Sequence, residues 1–346
     1  MLIYTKEYIA DLIGIQKVIP NLKDLYKKRV LITGSTGLIG SAIIDFLMEL
    51  NHLYNAGIEI YAAARNEDKL RRRFSRAAEA YGLHHVKYDA ETAIVFDLDI
   101  DFIIHGASNA HPKAFAKEPV DTMVANIYGV KNLLEYTKKH DVKRILYISS
   151  SEVYGKKNNN RPYTEDEYGY VDLLNPRACY PMSKRAAETL CAAYVEQFNI
   201  DAVIVRPGHI YGPTMTEVDS RASSQFPRDV KAGKPIVMKS AGLQLRSYCY
   251  VLDCVSAIIT VLLNGKIGEA YNISNKDSIV SIRDMAECFA RIAKSKVVFE
   301  KAEESENIGY NLMDNSSLDS QKIESLGWRG LFSMESGAQR TLNSLA

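Results

Sequence analysis

No apolar run in this chain reaches the ~20 residues that a helix needs to cross the bilayer hydrocarbon. Cysteine is scarce: Cys179, Cys191, Cys249, Cys254 and Cys288 are odd in number and form no CxxC pair. That argues against a disulfide scaffold or a zinc site and for a reduced, cytoplasmic protein with no metal. Net charge is nearly absent, because 43 Lys and Arg stand against 42 Asp and Glu, leaving +1. No general attraction to nucleic acid or to an anionic membrane follows from so even a balance. Lys6, Glu7, Asp11 and Lys17 interrupt any apolar region near the start, so a signal peptide is not expected. Internal repeats are missing, and Asn158-Asn159-Asn160 is a polar turn rather than a low-complexity tract.

What is present is enough apolar sequence, 47% of 346 residues, for one large domain or two of unequal size. Residues 1–28 set apolar Leu2, Ile9, Leu12, Ile13, Ile15, Val18 and Ile19 among charges, the pattern of an amphipathic helical extension. Arg29 to Thr33 then reads as a short buried strand. It runs into Gly34-Ser35-Thr36-Gly37-Leu38-Ile39-Gly40 and a helix to about Leu50. Strand, glycine-rich turn and helix N-terminus make a dinucleotide phosphate site, because glycines let the backbone approach the anion and the helix dipole favours it.

Further strands are expected at Ile58–Ala64, Val86–Asp89, Asp101–Ala107, Arg144–Ser149 and Asp201–Arg206, with a helix at Val120–His140. This alternation is that of an α/β, Rossmann-type doubly wound parallel sheet over residues 29–206. Beyond about Pro207 the pattern breaks into short runs, so 207–346 is expected to be mainly a smaller, irregular substrate-binding lobe, interleaved with the first. His105, inside an apolar run, reads as a packed core histidine. The second strand ends in Ala63-Ala64-Arg65-Asn66 with no acid at its tip, so Arg65 meets a 2′-phosphate of NADP or stacks on the adenine of NAD.

Tyr180 and Lys184 lie four apart, on one face of a helix. A Lys beside a phenol stabilises the phenolate and can make the Tyr a general base, but the spacing by itself fits a solvated surface pair better, and only the rest of the sequence favours the base. Ser149-Ser150-Ser151-Glu152-Val153-Tyr154-Gly155 follows the fifth strand some thirty residues earlier.

The Gly-x-x-Gly-x-x-Gly turn with Ser150, Tyr180 and Lys184 resembles the extended short-chain dehydrogenase/reductase family, in its NAD-dependent nucleotide-sugar epimerase, dehydratase and decarboxylase branch. The resemblance covers about residues 29 to 330. It implies that Ser150 binds the sugar 4-hydroxyl, that Tyr180 takes its proton, and that Lys184 lowers the Tyr180 pKa and holds the nicotinamide ribose. It places Asp89 near the adenine, Ala107 and Ser108 along the cofactor, and Asn126 in support of the site. Ser151-Glu152 stands where 4,6-dehydratases carry Asp-Glu. The form Ser-Glu-Val-Tyr-Gly, with Arg177-Ala178-Cys179-Tyr180 and the layout from Ala107 through His111-Pro112 to Glu118-Pro119, is most similar to decarboxylases acting on UDP-glucuronate. Arg246 matches the family arginine that meets the diphosphate or the sugar, with Arg221 a second candidate at the nucleotide end. Phe115, where decarboxylases tend to carry Tyr, and His209, in place of an Asn, are departures near the substrate.

The expectation is therefore a cytoplasmic enzyme that binds NAD, with NADP open because of Arg65, and acts on a UDP- or other NDP-sugar through oxidation at C4. Decarboxylation leads, with 4-epimerisation and 4,6-dehydration as alternatives. A non-catalytic dinucleotide-sensing protein is the rival of another class. Apolar Ala186, Ala187, Leu190, Ala193 and Tyr194 suit a family-like homodimer, and an intramolecular core explains them equally well.

Overall fold

A computed structural model describes residues 2–74, 81–110, 112–300 and 313–346, without the side chains of Lys113 and Ala114. The first helix, α1 (Lys6–Gly14), is started by Thr5, whose hydroxyl accepts from the Tyr8 amide. It packs on the sheet domain as its amphipathic pattern predicts, burying Tyr8, Leu12 and, just beyond it, Ile15. Buried Asp45 accepts hydrogen bonds from Tyr4 at 2.7 Å and Tyr8 at 2.9 Å, tying the extension to the next helix.

Then come β1 (Arg29–Thr33), α2 (Leu38–Tyr54), β2 (Glu59–Ala64), α3 (Glu67–Arg73) and β3 (Leu83–Lys87). After the reversal follow β4 (Phe102–His105), α4 (Pro112–Lys117), α5 (Pro119–Lys139), β5 (Arg144–Ile148), α6 (Cys179–Phe198) and β6 (Ala202–Pro207). The remaining elements begin with β7 (His209–Tyr211), α7 (Ala222–Lys231), β8 (Ile236–Met238), β9 (Leu245–Tyr250) and α8 (Val251–Asn264). They continue with β10 (Ala270–Ile273), β11 (Ile279–Ser281), α9 (Ile282–Ile292), β12 (Val297–Phe299), β13 (Asn315–Ser316), α10 (Gln321–Glu324) and α11 (Met334–Ser344).

Seven parallel strands form the central sheet in the order β10-β6-β5-β4-β1-β2-β3. Its strands carry nearly continuous apolar runs because helices cover both faces. The expected alternation is thus realised, with two shifts. The third strand ends at Lys87, leaving Asp89 in the turn after it, and the fourth ends at His105, leaving Ala107 and Ser108 in a loop. The seventh strand, β10, comes from far beyond residue 206, and α8, buried from Val251 to Leu262, packs against α2. The central sheet therefore takes its edge strand from the part of the chain beyond residue 206.

The second lobe is built on β9, which pairs with β11, β13 and β7. Strand β7 leaves β6 directly through Gly208. A Cβ there would stand 2.4 Å from the Ser247 carbonyl oxygen, so only glycine lets β7 lie this close to β9. The resulting register sets His209 opposite Tyr248, two residues from Arg246.

Candidate active site

The sheet order reverses between β1 and β4, and ligands of open α/β sheets bind at that crevice, beyond the strand C-termini. Here the two strand ends nearly touch. A Cβ on Gly34, which has φ +74°, would lie 2.7 Å from the Gly106 oxygen, and one on Gly40 would lie 2.4 Å from the Gly34 oxygen. Helix α2 starts at Gly37 with no side chain capping it, so its first-turn amides face outward. This cradle fits a dinucleotide pyrophosphate. Within it, the Ser35 hydroxyl is fully buried and turned to the Ile32 and Ala63 carbonyls, at 2.7 and 2.9 Å. Ser35 thus contributes backbone rather than side chain. Leu38 is buried, and its carbonyl accepts from Thr214; Thr36 and Ile39 are half-buried. The Thr33 hydroxyl, 3.2 Å from the Gly106 and Ala107 amides, holds the β4 loop.

Arg65 is exposed at the end of β2. Asp89, half-buried, accepts from the Glu91 amide at 3.1 Å. Ser108 Oγ is buried without a partner among the described residues, as is Asn126 Oδ1, while Asn126 donates its amide to Ser183 at 2.9 Å. Asn126 therefore braces α6 at the residue before Lys184. His111 lies outside the described residues. His105 is a core histidine as expected: Nδ1 is 2.7 Å from Thr33 Oγ1, and burial, aided by the Lys184 charge, pushes the ring down to about 3.

The chemistry-bearing residues converge where α6 begins. Asn175 caps the short turn Pro176–Ala178 by accepting from the Arg177 amide, and Pro181 sits in the first turn of α6, where a missing N–H costs nothing. Tyr180 and Lys184 are both buried. Ser150 caps the turn Ser151–Tyr154 by accepting from the Glu152 amide, and Ser151 is buried in that turn. Burial pushes the Tyr180 phenol up to about 12, and the Glu152 carboxylate pushes the same way, while a hydrogen bond from Ser150 and the charges of Arg221 and Arg177 oppose them. Burial thus works against the ionisation that Lys184 is expected to favour. Lys184 Nζ lies 5.8 Å from the Tyr180 ring centroid and donates to the Ile148 carbonyl at 2.9 Å. Burial also pulls Lys184 itself down to about 7, against the pull of Glu188.

Sequence reasoning saw Arg177 only as part of a motif and gave it no role of its own. Its Nη2 donates to both Glu152 oxygens, at 2.9 and 2.8 Å, and its guanidinium lies 4.5 Å from the Phe115 ring centroid. Phe115, buried, stacks on Tyr180 at 5.1 Å and 25°. The signal that could have found Arg177 was its position three residues before Tyr180.

Arg246, on β9, is buried and donates to the Leu245 carbonyl at 2.8 Å. No ion pair binds it among the described residues. Burial lowers its pKa, against which Tyr248 and Glu152 act. Arg221 is already paired with Asp219, which also accepts from Ser224, yet its charge reaches Tyr180 and Glu152. His209 packs edge-on to Tyr248, its Nδ1 buried without a partner among the described residues. Burial, with Arg246 and Arg221 beside it, pushes the ring down to about 3, so it stays neutral. The structure thus brings Ser150, Glu152, Tyr180, Lys184, His209, Arg221 and Arg246 into one group linked by their mutual interactions. A cavity of about 610 Å³ lies elsewhere, between α6 and β10, and four of its wall ions are paired with each other: Arg206 with Glu188, Lys322 with Glu269. The described residues include no cluster of metal-ligating side chains, and no helix long and apolar enough to cross a membrane.

A glycine cradle at the switch point of a doubly wound sheet, with Ser, Tyr and Lys beside it, defines a Rossmann-type protein of the short-chain dehydrogenase/reductase kind. The chain belongs to the NAD dependent epimerase/dehydratase family, whose profile matches residues 30–274. It is 32% identical over 279 residues to UDP-glucuronic acid decarboxylase 6 of Arabidopsis thaliana, covering 80% of this chain and 77% of that protein. It is 28% identical over 337 residues to dTDP-D-glucose 4,6-dehydratase of Bos taurus, covering 92% and 89%. Among solved structures, UDP-glucuronic acid 4-epimerase of Bacillus cereus with UDP-glucuronic acid and NAD superposes with a TM-score of 0.75 at 24% identity, covering 91% and 98%. The family and fold expected from the residues are borne out, as is NAD at the level of the family.

Proposed function

We propose that this chain is an NAD-dependent nucleotide-sugar enzyme that oxidises its sugar at C4 and decarboxylates UDP-glucuronate. The observation that carries this reading is the buried Arg246, free of any ion pair among the described residues and within reach of the Glu152 charge. A buried guanidinium without a counter-ion is costly unless a ligand supplies the anion, and a sugar carboxylate or a diphosphate suits its fork.

Bound NAD would sit in the Gly34–Gly40 cradle, and it supplies reversible acceptance of hydride from C4. The protein's share is positioning and proton transfer. Ser150 hydrogen-bonds the 4-hydroxyl and Tyr180 receives its proton, with Lys184 as the cation that favours the phenolate. A ketone at C4 makes the C6 carboxylate a β-keto acid. Its C5–C6 bond then breaks, CO2 leaves, and the electron pair settles on the C4 oxygen beside Ser150 and Tyr180; C5 then takes a proton, and C4 takes back the hydride while its oxygen takes back the proton held by Tyr180. Arg246 orients the carboxylate, and Glu152, held by Arg177, is placed to handle protons around C5. Arg221 and His209 line the substrate side.

Incubating the NAD-loaded protein with UDP-glucuronate tests this directly. Product lighter by the mass of CO2 is expected. Unchanged mass with new NMR couplings would make the enzyme a 4-epimerase, loss of water a dehydratase, and no conversion would sink the substrate assignment. A cytoplasmic location and a homodimer belong to the same proposal. The five cysteines are free and buried. On α5, Val120, Met123 and Tyr128 are 70%, 37% and 52% exposed along one face, beside exposed Ala193 on α6. Sedimentation should show a dimer that Tyr128→Glu weakens.

A further inference from the structure

We propose that the face of the Tyr147 ring is the support that holds the Lys184 ammonium charged and in place, which makes Tyr147 a positioning residue for proton transfer at Tyr180. The proposal rests on the reading of Lys184 as a working residue.

Lys184 is 2% exposed, and no carboxylate pairs with it among the described residues; Glu188, one turn along the helix, is engaged by Arg206. An ammonium buried this way loses its hydration and needs compensation. Its one hydrogen bond among the described residues, to the Ile148 carbonyl, leaves two N–H groups. What faces the charge is aromatic: Nζ lies 4.7 Å from the Tyr147 centroid and 5.8 Å from that of Tyr180, both within cation–π range. The Tyr180 ring is committed to the reaction and to its stack on Phe115. The Tyr147 ring has no such duty.

Tyr147 is itself held rigidly. Strand register sets it opposite His105, and the two rings stack at 5.8 Å and 28°. His105 is fixed in turn by Thr33. The Tyr147 hydroxyl is buried without a partner among the described residues, so the ring is not kept for its polar tip. The titratable groups facing Lys184 are Tyr147 from β5, His105 from β4, and Tyr180 and Glu188 from α6. Helix α5 adds the uncharged Asn126, through Ser183. Neutral His105 brings no second cation.

The test uses NAD-loaded protein labelled with 13C at lysine Cε, with Lys184 assigned by Lys184→Met and its titration followed by NMR. Tyr147→Phe keeps the face and removes the unpaired hydroxyl, so the Lys184 midpoint should stay and the melting temperature should hold or rise. Tyr147→Met removes the face, favours the neutral amine, and should move the midpoint at least about half a pH unit lower, with the basic limb of kcat/KM following. Should Tyr147→Met fail to fold, multiply fluorinated phenylalanine at position 147 keeps the shape while draining the face, and should lower the midpoint in the same direction. An unmoved midpoint in the face-less or fluorinated proteins, or an equal fall in Tyr147→Phe, overturns the proposal. Full activity in Lys184→Met would instead overturn the role given to Lys184, while the midpoints measured by NMR would still decide whether the Tyr147 face supports the charge.

Discussion

Arg177 grips Glu152 through one nitrogen, donating to both carboxylate oxygens at 2.9 and 2.8 Å, while its guanidinium covers the Phe115 ring against which Tyr180 is stacked. The Glu152 carboxylate and the Tyr180 phenol are thereby set by the same cation. Removing it leaves Glu152 without its partner and Phe115 without its cover. Arg177→Met is expected to lower kcat on UDP-glucuronate by about 10- to 100-fold, with KM much less affected. Steady-state kinetics check this. An equal fall in kcat/KM through KM alone would show that Arg177 serves binding instead.

Glu152 also pushes the Tyr180 phenol upward. In Glu152→Gln that push is gone, so the phenol should ionise at lower pH than in the parent. Ultraviolet difference titration, with Tyr180→Phe subtracted to isolate the signal, reads the shift. A rise, or none, contradicts the arrangement.

Tyr180→Phe keeps the ring and its stack but removes the proton acceptor. A positioned general base contributes about 10²- to 10⁴-fold, so turnover should fall by that range. Calorimetric NAD affinity should change little, because the glycine cradle is untouched. Intact turnover would remove Tyr180 from the mechanism.

The cradle has its own control. A Cβ on Gly40 would press to 2.4 Å on the Gly34 oxygen, whereas one on Gly14 meets nothing within 4 Å. Gly40→Ala should weaken NAD binding at least about tenfold and lower the melting temperature, since overpacking of this kind costs about 1–3 kcal/mol. Gly14→Ala should leave NAD binding alone and hold or raise the melting temperature.

Asp101 offers a pH test of the fold. Burial alone would raise its carboxyl, but the Arg29 amide and side chain and the Lys143 ammonium hold it down at about 2. A depressed carboxylate contributes stability above its unfolded pKa of about 3.9 and loses it as pH falls through the folded value. After discounting for solvent screening, Asp101→Asn should cost about 1 kcal/mol at pH 7, with the gap to the parent closing between about pH 4 and pH 2. Chemical denaturation at the two ends measures it.

Legibility in the sequence followed the range of the interaction. The strand–turn–helix at Arg29–Leu50, the Tyr180–Lys184 spacing and the Ser150 turn are written in consecutive residues, because backbone approach and helical periodicity are local constraints. They were enough to determine the fold class, the family and the pair at the centre of the site. Asn126 could be assigned to support, though not to Ser183, since that bond joins residues 57 apart. Only the tertiary structure decided the rest. β10 enters the sheet from beyond residue 264, Arg177 turns back onto Glu152 across 25 residues, and β7 crossing beside β9 sets His209 among Arg246 and Arg221. It also decided the setting of Tyr180: spacing brings a lysine near the phenol, but the dielectric around both groups is set by burial, which no run of residues records.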